Sequence, residues 1–190
     1  MPLTLLKGPA REPVSLADMK DWLKIDGIDE DGLIAALIIS ARLSVETISA
    51  KALITQSWRL VLDEWPDRPF IDVPLAPVSS LAAARVYNAD GSTTALNGAE
   101  FLVGASASQK PRLVLLKRQP APMRPMAGIE IDLVAGYGDD GAAVPEPLKL
   151  ALKMLVAFWF ENRGDEPTAV PLRWPDEIAR LLAPYQMRRV

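Results

Sequence analysis

The sequence predicts an α+β fold in which helices from both ends of the chain form a core that carries a small inserted antiparallel β subdomain. Near both ends, apolar residues recur every three or four positions, as in amphipathic helices. In the middle they alternate with polar residues, and prolines break the region into short segments typical of strands and turns. We therefore expect N-terminal core helices over residues 1–56, the β subdomain over 57–138, and C-terminal helices and a tail over 139–190.

Two helices are predicted before the first strand. Ser15 is placed to cap the first helix, and Asp18, three residues later, has the spacing of a capping box. The second helix is expected over residues 31–51, because its apolar residues share one face. Arg42 and Glu46 lie four residues apart in this helix and are expected on its exposed side.

The strand predictions rest on alternation and on turn residues. Residues 129–135 alternate cleanly, so one face of this strand should be buried and the other solvated. Asp90-Gly91 is a tight-turn signal. The other strand candidates are residues 57–63, 70–73, 84–88, 100–103 and 112–116.

The last fifty residues return to helical spacing. Pro145 and Pro147 suit the first turn of a helix, and a wide apolar stripe then continues to Phe160. A short final helix is expected to open at Trp174-Pro175-Asp176. These segments would complete the helical core.

Composition excludes several kinds of chemistry. The 190 residues include no cysteine and no histidine, which excludes disulfides, thiolate or imidazole metal sites, cysteine nucleophiles and Ser-His-Asp catalysis. A net charge of −3 disfavours a strongly basic nucleic-acid binder. No targeting segment or membrane span is expected. We therefore expect a protein that is made in the cytoplasm and has no chemistry that depends on thiol or imidazole groups.

One motif has a possible catalytic interpretation. Residues 136–141, Gly-Tyr-Gly-Asp-Asp-Gly, match the G-x-G-x-x-G phosphate loop of dinucleotide-binding proteins. Here Asp139 and Asp140 stand where the pyrophosphate would lie, and the helix begins late, at Pro145. A glycine turn is therefore favoured, with a nucleotide-binding enzyme as the alternative.

Three other candidate sites have simpler structural interpretations. The acidic run over residues 26–32 lacks the ligand spacing of an EF-hand and is favoured as a loop that caps the second helix. Glu130 and Asp132 share one face of a strand and are favoured as its solvated side rather than a catalytic carboxylate pair. Three tryptophans are favoured as core residues rather than a ligand platform. They are Trp58, Trp159 and Trp174.

Three stretches of the sequence are specific when taken together and in order. The first begins with Pro-Val-Ser-Leu-Ala-Asp-Met-Lys-Asp-Trp-Leu-Lys-Ile at residues 13–25 and continues to Trp58. The second covers residues 74–91, and the third covers residues 136–163. Together they resemble the head–tail connector (adaptor) family of long-tailed phages, prophages and gene transfer agents, in the branch with an inserted β subdomain.

The resemblance implies a structural protein of the virion or gene transfer agent particle, located in its neck. Such adaptors form a ring, commonly of twelve copies, beneath the capsid portal. The ring extends the DNA channel, through which DNA passes without specific binding, and presents a surface to a tail-completion or stopper protein. No catalytic residue carries over from the family, so the resemblance implies a protein that is not an enzyme and needs no cofactor or metal. Another tail-completion protein of the same particle is the alternative.

A ring needs two different surfaces on each subunit, and complementary charged patches can set their register. The C-terminal segment carries arginines, whereas the N-terminal third is acidic. We therefore expect the C-terminal segment to reach the portal or a neighbouring subunit. Its interface residues would be Tyr185, Met187, Arg188, Arg189 and Val190.

Overall fold

The structure, a computed structural model, describes residues 2–104, 110–162 and 175–186. It confirms the α+β class predicted from the sequence. The strands are β1 (Leu3–Lys7), β2 (Gln56–Leu62), β3 (Phe70–Asp72), β4 (Val78–Tyr87), β5 (Thr93–Ala95), β6 (Phe101–Val103), β7 (Arg112–Leu115) and β8 (Ile129–Ala135). The helices are α1 (Leu16–Leu23), α2 (Asp31–Ser49), α3 (Glu146–Glu161) and α4 (Asp176–Leu182).

The chain divides into two units. The β unit comprises Met1–Pro9 and Thr55–Tyr137, and the helical unit comprises Ala10–Ile54 and Gly138–Val190. The sequence analysis placed residues 1–56 with the helices, but β1 pairs antiparallel with β2 in the β unit. Strand β1 has only five residues, and most of them are exposed, so its sequence shows no sustained alternation of buried and exposed positions. Its partner strand lies more than fifty residues further along the chain, and no local pattern can indicate that pairing.

The β unit contains two antiparallel sheets. The five-stranded sheet has the order β1-β2-β8-β4-β5, and the three-stranded sheet has the order β3-β7-β6. In the central strand β8, Ile129, Ile131 and Leu133 are buried, and Glu130 and Asp132 alternate with them on the other face. The clean alternation read from the sequence therefore corresponds to a sheet with one buried face.

In the helical unit, the predicted cap of α1 is confirmed. Ser15 Oγ accepts a hydrogen bond of 3.0 Å from the Asp18 backbone N–H, and Ser15 Oγ donates a 2.7 Å hydrogen bond to the Asp18 carboxylate. The helix ends at Lys24, whose positive φ of 60° stops helical propagation. Helix α2 packs on α3, and its buried apolar side chains include Ile34 and Ile38.

The expectation that Arg42 and Glu46 are exposed was wrong, because only 6% and 9% of their surfaces are accessible. Arg42 donates to Glu46 Oε2 at 2.9 Å and to Glu12 Oε2 at 2.7 Å. Glu46 Oε1 also accepts from the Leu53 backbone N–H at 2.9 Å. Burial lowers the pKa of Arg42, but its contacts with the two carboxylates outweigh this and raise the pKa. The segments before and after α2 cover this side, which helical spacing could not reveal.

Among the described residues, α2 is also the one helix long and apolar enough to cross a membrane. The sequence analysis expected no membrane span. Length and apolarity alone are weak support for a span, since buried core helices pass the same test. The buried face of α2 and its hydrogen-bonded ion pair fit a helix packed in a protein core.

Candidate assembly surfaces

Helix α2 has an exposed face without charge. Its three charged residues all lie elsewhere: Asp31 pairs with Lys20 at 2.6 Å, and Arg42 and Glu46 are buried. The most exposed large side chain of the face is Leu43, 49% accessible. We call this surface the α2 outer face, and its exposed residues are Leu33, Ala36, Ile39, Ser40, Leu43, Thr47 and Ile48. An exposed helix face with four large apolar side chains and no charge has the composition of a surface that binds another apolar surface.

A second surface of the helical unit is an open groove of about 800 Å³. Its apolar lining includes Trp22 and Leu150, which are 45% and 37% accessible, together with Pro147 and Leu181. Lys153 Nζ lies 5.5 Å from the centre of the Trp22 ring. We call it the α3 groove, because residues of α3 form much of its wall. Its lining mixes these apolar side chains with charged ones, which are Arg11, Glu12, Asp18, Asp140, Glu146, Lys149 and Lys153.

The solvated face of the five-stranded sheet carries four charges that pair with one another. Arg59 contacts Asp132 at 2.7 Å and Glu130 at 3.1 Å. Arg85 contacts Glu130 at 2.7 Å and Asp132 at 2.9 Å. Tyr87 also donates to Glu130 at 3.0 Å. We call this set the sheet charge network.

The network keeps both carboxylates ionised. Partial burial raises the pKa of Glu130, but hydrogen bonds from Arg85 and Tyr87 and the nearby positive charges outweigh it, so the pKa is lowered. Asp132 has the same balance, with burial opposed by Arg59 and Arg85, and its pKa is also lowered. Two ionised, paired carboxylates provide no general acid, which agrees with the solvated strand face favoured from the sequence.

The three-stranded sheet presents a smaller exposed surface. The guanidinium groups of Arg68 and Arg112 lie 4.6 and 4.3 Å from the centre of the Phe70 ring. Asp72 accepts from both arginines, at 2.7 and 2.9 Å. The contacts within this cluster therefore leave only one of its three charges uncompensated.

The glycine motif forms a tight turn. The chain passes from the β unit to the helical unit between Tyr137 and Gly138. A Cβ at Gly138 would lie 2.6 Å from the Ala143 Cβ, and a Cβ at Gly141 would collide with the Pro13 carbonyl. The Asp140 carboxylate accepts from the Ala142 backbone N–H at 2.9 Å, so this turn uses its own side chain where a phosphate loop presents N–H groups to a ligand.

The interface residues predicted from the sequence are only partly described. Tyr185 is half-buried at the end of the short turn Ala183–Tyr185 that follows α4. Met187, Arg188, Arg189 and Val190 lie outside the described residues, as does Trp174. Within the described ranges, no group of three or more acidic side chains is placed to hold a metal ion.

The sequence analysis missed the α2 outer face, although the signal was present. Positions 33, 36, 40, 43 and 47 recur at helical spacing and none is charged. The apolar positions that predicted this helix include Leu33 and Ile48, which were expected on its buried stripe and are exposed in the structure. The α3 groove has no comparable signal, because residues from α1, α3 and α4 meet there only through the fold.

Comparison with solved structures identifies proteins of the same architecture. One is a chain in the neck of an empty gene transfer agent (GTA) particle, computed with C6 symmetry, with a TM-score of 0.83. A second is in the virion of a native GTA particle (TM-score 0.81), and a third is in the neck of a native GTA particle computed with C12 symmetry (0.80). Each is 28% identical to this protein, and each alignment covers 100% of this chain and 97% of the other.

No protein-family model and no curated protein matches the chain in sequence. The structural likeness extends over both units, so it supports more than a shared domain. This structural likeness places the chain with the structural components of virus-like particles. Within that class it supports a neck or connector-type protein of a GTA particle, located in the particle neck as the sequence predicted.

Proposed function

We propose that this protein is the head–tail connector (adaptor) of such a particle, forming a ring of twelve copies between the capsid portal and the tail. The observation that carries the proposal is the full-length likeness to neck chains, one of them from a neck computed with C12 symmetry. In this role the ring extends the channel through which DNA passes. Its partners are the portal, a tail-completion or stopper protein, and its own copies.

The surface chemistry of the chain supports this role. Cyclic rings close through heterologous contacts, in which one surface of a subunit meets a different surface of the next. The helical unit carries two different surfaces of this kind, the uncharged α2 outer face and the α3 groove, whose lining mixes apolar and charged side chains. A net charge of −3 suits a channel that lets DNA slide, because tight binding requires many phosphate contacts from Lys and Arg.

The position of this chain in purified particles tests the role. Particles with a short label on the chain are imaged by cryo-electron microscopy, and the expected density is a ring in contact with the portal. Particles made without the chain should yield DNA-filled heads and separate tails. A labelled ring that contacts only the tail would favour the alternative, another tail-completion protein. Absence of the chain from the neck would contradict both.

The C-terminal segment 185–190 is proposed to contact the portal or a neighbouring subunit. Its deletion should weaken binding of the purified chain to the portal, measured by co-sedimentation, while thermal unfolding stays unchanged. Arg180 lies in the last turn of α4, outside the deleted segment, so Arg180→Ala serves as a control for the loss of one positive charge. Unchanged portal binding and unchanged ring formation after the deletion would refute the assignment.

The enzyme alternative has a separate test. Titration with NAD or ATP, followed through tryptophan fluorescence, should give no saturable change. A saturable change that Asp140→Ala alters would assign the glycine turn to a nucleotide and contradict the structural role.

A further inference from the structure

We propose that the α2 outer face of one copy packs into the α3 groove of the next copy, and that this is the contact that closes the ring. The inference rests on the proposed ring function and adds to it the two surfaces that meet. It assigns a second copy of this chain as the occupant of the exposed face.

The first argument is the polarity of α2. Its interior side holds buried apolar residues and a buried ion pair, whereas its exposed side holds Leu33, Ile39, Leu43 and Ile48 and no charge. A solvated helix normally has apolar residues inside and charged residues outside, and the charged outer side is what α2 lacks. The exposed side therefore has the composition of a surface that is covered in the assembled state.

The second argument is the shape of the two surfaces. The outer face is one side of a helix of 19 residues, a convex ridge about 28 Å long. The α3 groove is concave, and its exposed apolar side chains, Trp22 and Leu150, offer aromatic and aliphatic contacts to such a ridge. Charged side chains also line the groove, and two of them, Lys149 and Glu146, pair with each other at 2.7 Å, so the ridge would meet them already paired. Residues of α1, α3 and α4 line the groove, so ridge and groove are different surfaces.

The third argument is symmetry. Similar neck chains come from necks computed with C6 and C12 symmetry, in which each subunit has equivalent neighbours on its two sides. A ridge that fits a groove on an identical copy gives a heterologous contact, and repeated rotation closes such contacts into a ring. If a second copy covers the α2 outer face, the same contact also fills the α3 groove of that copy. A different partner on the α2 outer face would leave the α3 groove empty.

The absence of cysteine makes a direct test possible. In the double variant Leu43→Cys/Leu150→Cys, oxidation of assembled particles should give a ladder of covalent dimers, trimers and larger species on a non-reducing gel. Leu43 and Leu150 belong to different helices, α2 and α3, and both side chains are exposed. A disulfide within one copy would leave a monomer on the gel, so only a covalent link between copies gives the ladder.

The single variants Leu43→Cys and Leu150→Cys are matched controls. A heterologous contact brings position 43 to position 150, so neither single variant should form dimers. Dimers from Leu43→Cys alone would mean that two α2 faces meet about a two-fold axis, which overturns the proposal. Particles that contain the chain but give only monomers from the double variant also overturn it, and the ring function stands. Particles that lack the chain in the neck contradict the function itself.

A second measurement covers the case in which the double variant does not assemble. Maleimide labelling of Leu43→Cys should be at least tenfold slower in assembled particles than in the purified chain, because the face becomes buried. Equal labelling in the two states overturns the proposal. Flotation of the purified chain with phosphatidylcholine–phosphatidylglycerol vesicles should recover no protein. Flotation that Leu43→Glu abolishes would assign the face to a membrane instead.

Discussion

Helix α2 and strand β8 present opposite patterns of charge. In β8, Ile129 and Ile131 are buried, and the carboxylates beside them lie on the solvated face and pair with arginines of β2 and β4. In α2, Arg42 and Glu46 are buried and leucine and isoleucine are exposed. The sheet surface pairs its own charges. The helix surface exposes large apolar side chains, so in the proposed ring it is the subunit interface.

The largest expected effect comes from breaking the buried charges of α2. Arg42→Ala leaves Glu46 buried without its guanidinium partner, and removing one member of such a pair typically costs about 3–5 kcal/mol. The retained hydrogen bond from the Leu53 backbone N–H places the expected loss near the lower end, about 3 kcal/mol. Urea unfolding measures it. A loss below about 1 kcal/mol would mean that Arg42 behaves as a surface residue, as the sequence analysis expected.

The next effect should appear in assembly and leave stability nearly unchanged. Leu43→Glu places a charge on the α2 outer face, and we expect incorporation into particles to fall about tenfold or more, since an unpaired charge in a dry interface is strongly unfavourable. The free energy of unfolding of the isolated chain should change by less than about 0.5 kcal/mol, because the site is exposed.

Leu102→Glu is the matched control for this variant. Leu102 is an exposed leucine of the β unit, 54% accessible. Quantitative gels of purified particles should show normal incorporation of the control. Equal losses for both variants would mean that any new charge impairs assembly, and the distinction between the two surfaces would disappear.

Acid should weaken the sheet charge network. The pKa values of Glu130 and Asp132 lie below their ordinary values of 4.5 and 3.8 in the folded protein. The unfolded chain therefore binds more protons as the pH falls below about 5, and stability that is present at neutral pH is lost as the pH falls through the lowered pKa values. Chemical unfolding from pH 7 to pH 3 measures this slope. Asp132→Asn should make it shallower, and an unchanged slope would contradict the assignment.

The smallest expected effect concerns the buried side of the same sheet. Within the described residues, the Trp58 indole N–H is buried and has no hydrogen-bond partner. Trp58→Phe removes this unsatisfied donor, whose burial costs about 1–3 kcal/mol, and also removes apolar contact. The two changes oppose each other, so we expect unfolding free energy within about 1 kcal/mol of wild type. A loss above about 3 kcal/mol in urea unfolding would contradict this balance between the two changes.

Local sequence patterns predicted most of the elements. Ser15 and Asp18 predicted the start of α1, and alternation predicted β8, because capping and a two-residue period depend on neighbouring residues alone. The sequence analysis missed β1 and β5. Strand β5 has only three residues, all exposed, and it pairs with β4. It therefore has no buried apolar residue and no alternation of apolar and polar residues that would predict a strand.

The sequence by itself determined the α+β class, the absence of thiol and imidazole chemistry, and the resemblance to connector proteins, because composition, period and ordered motifs are properties of the chain. Only the tertiary structure decided which side of α2 is buried. Both sides of the helix are rich in apolar residues, so composition alone does not distinguish them. Arg42 can be buried because Glu12, thirty residues earlier in the chain, supplies a carboxylate partner. Glu46 is held in turn by a hydrogen bond from the backbone N–H of Leu53. The α3 groove was decided in the same way, since its walls are brought together by packing between separate helices.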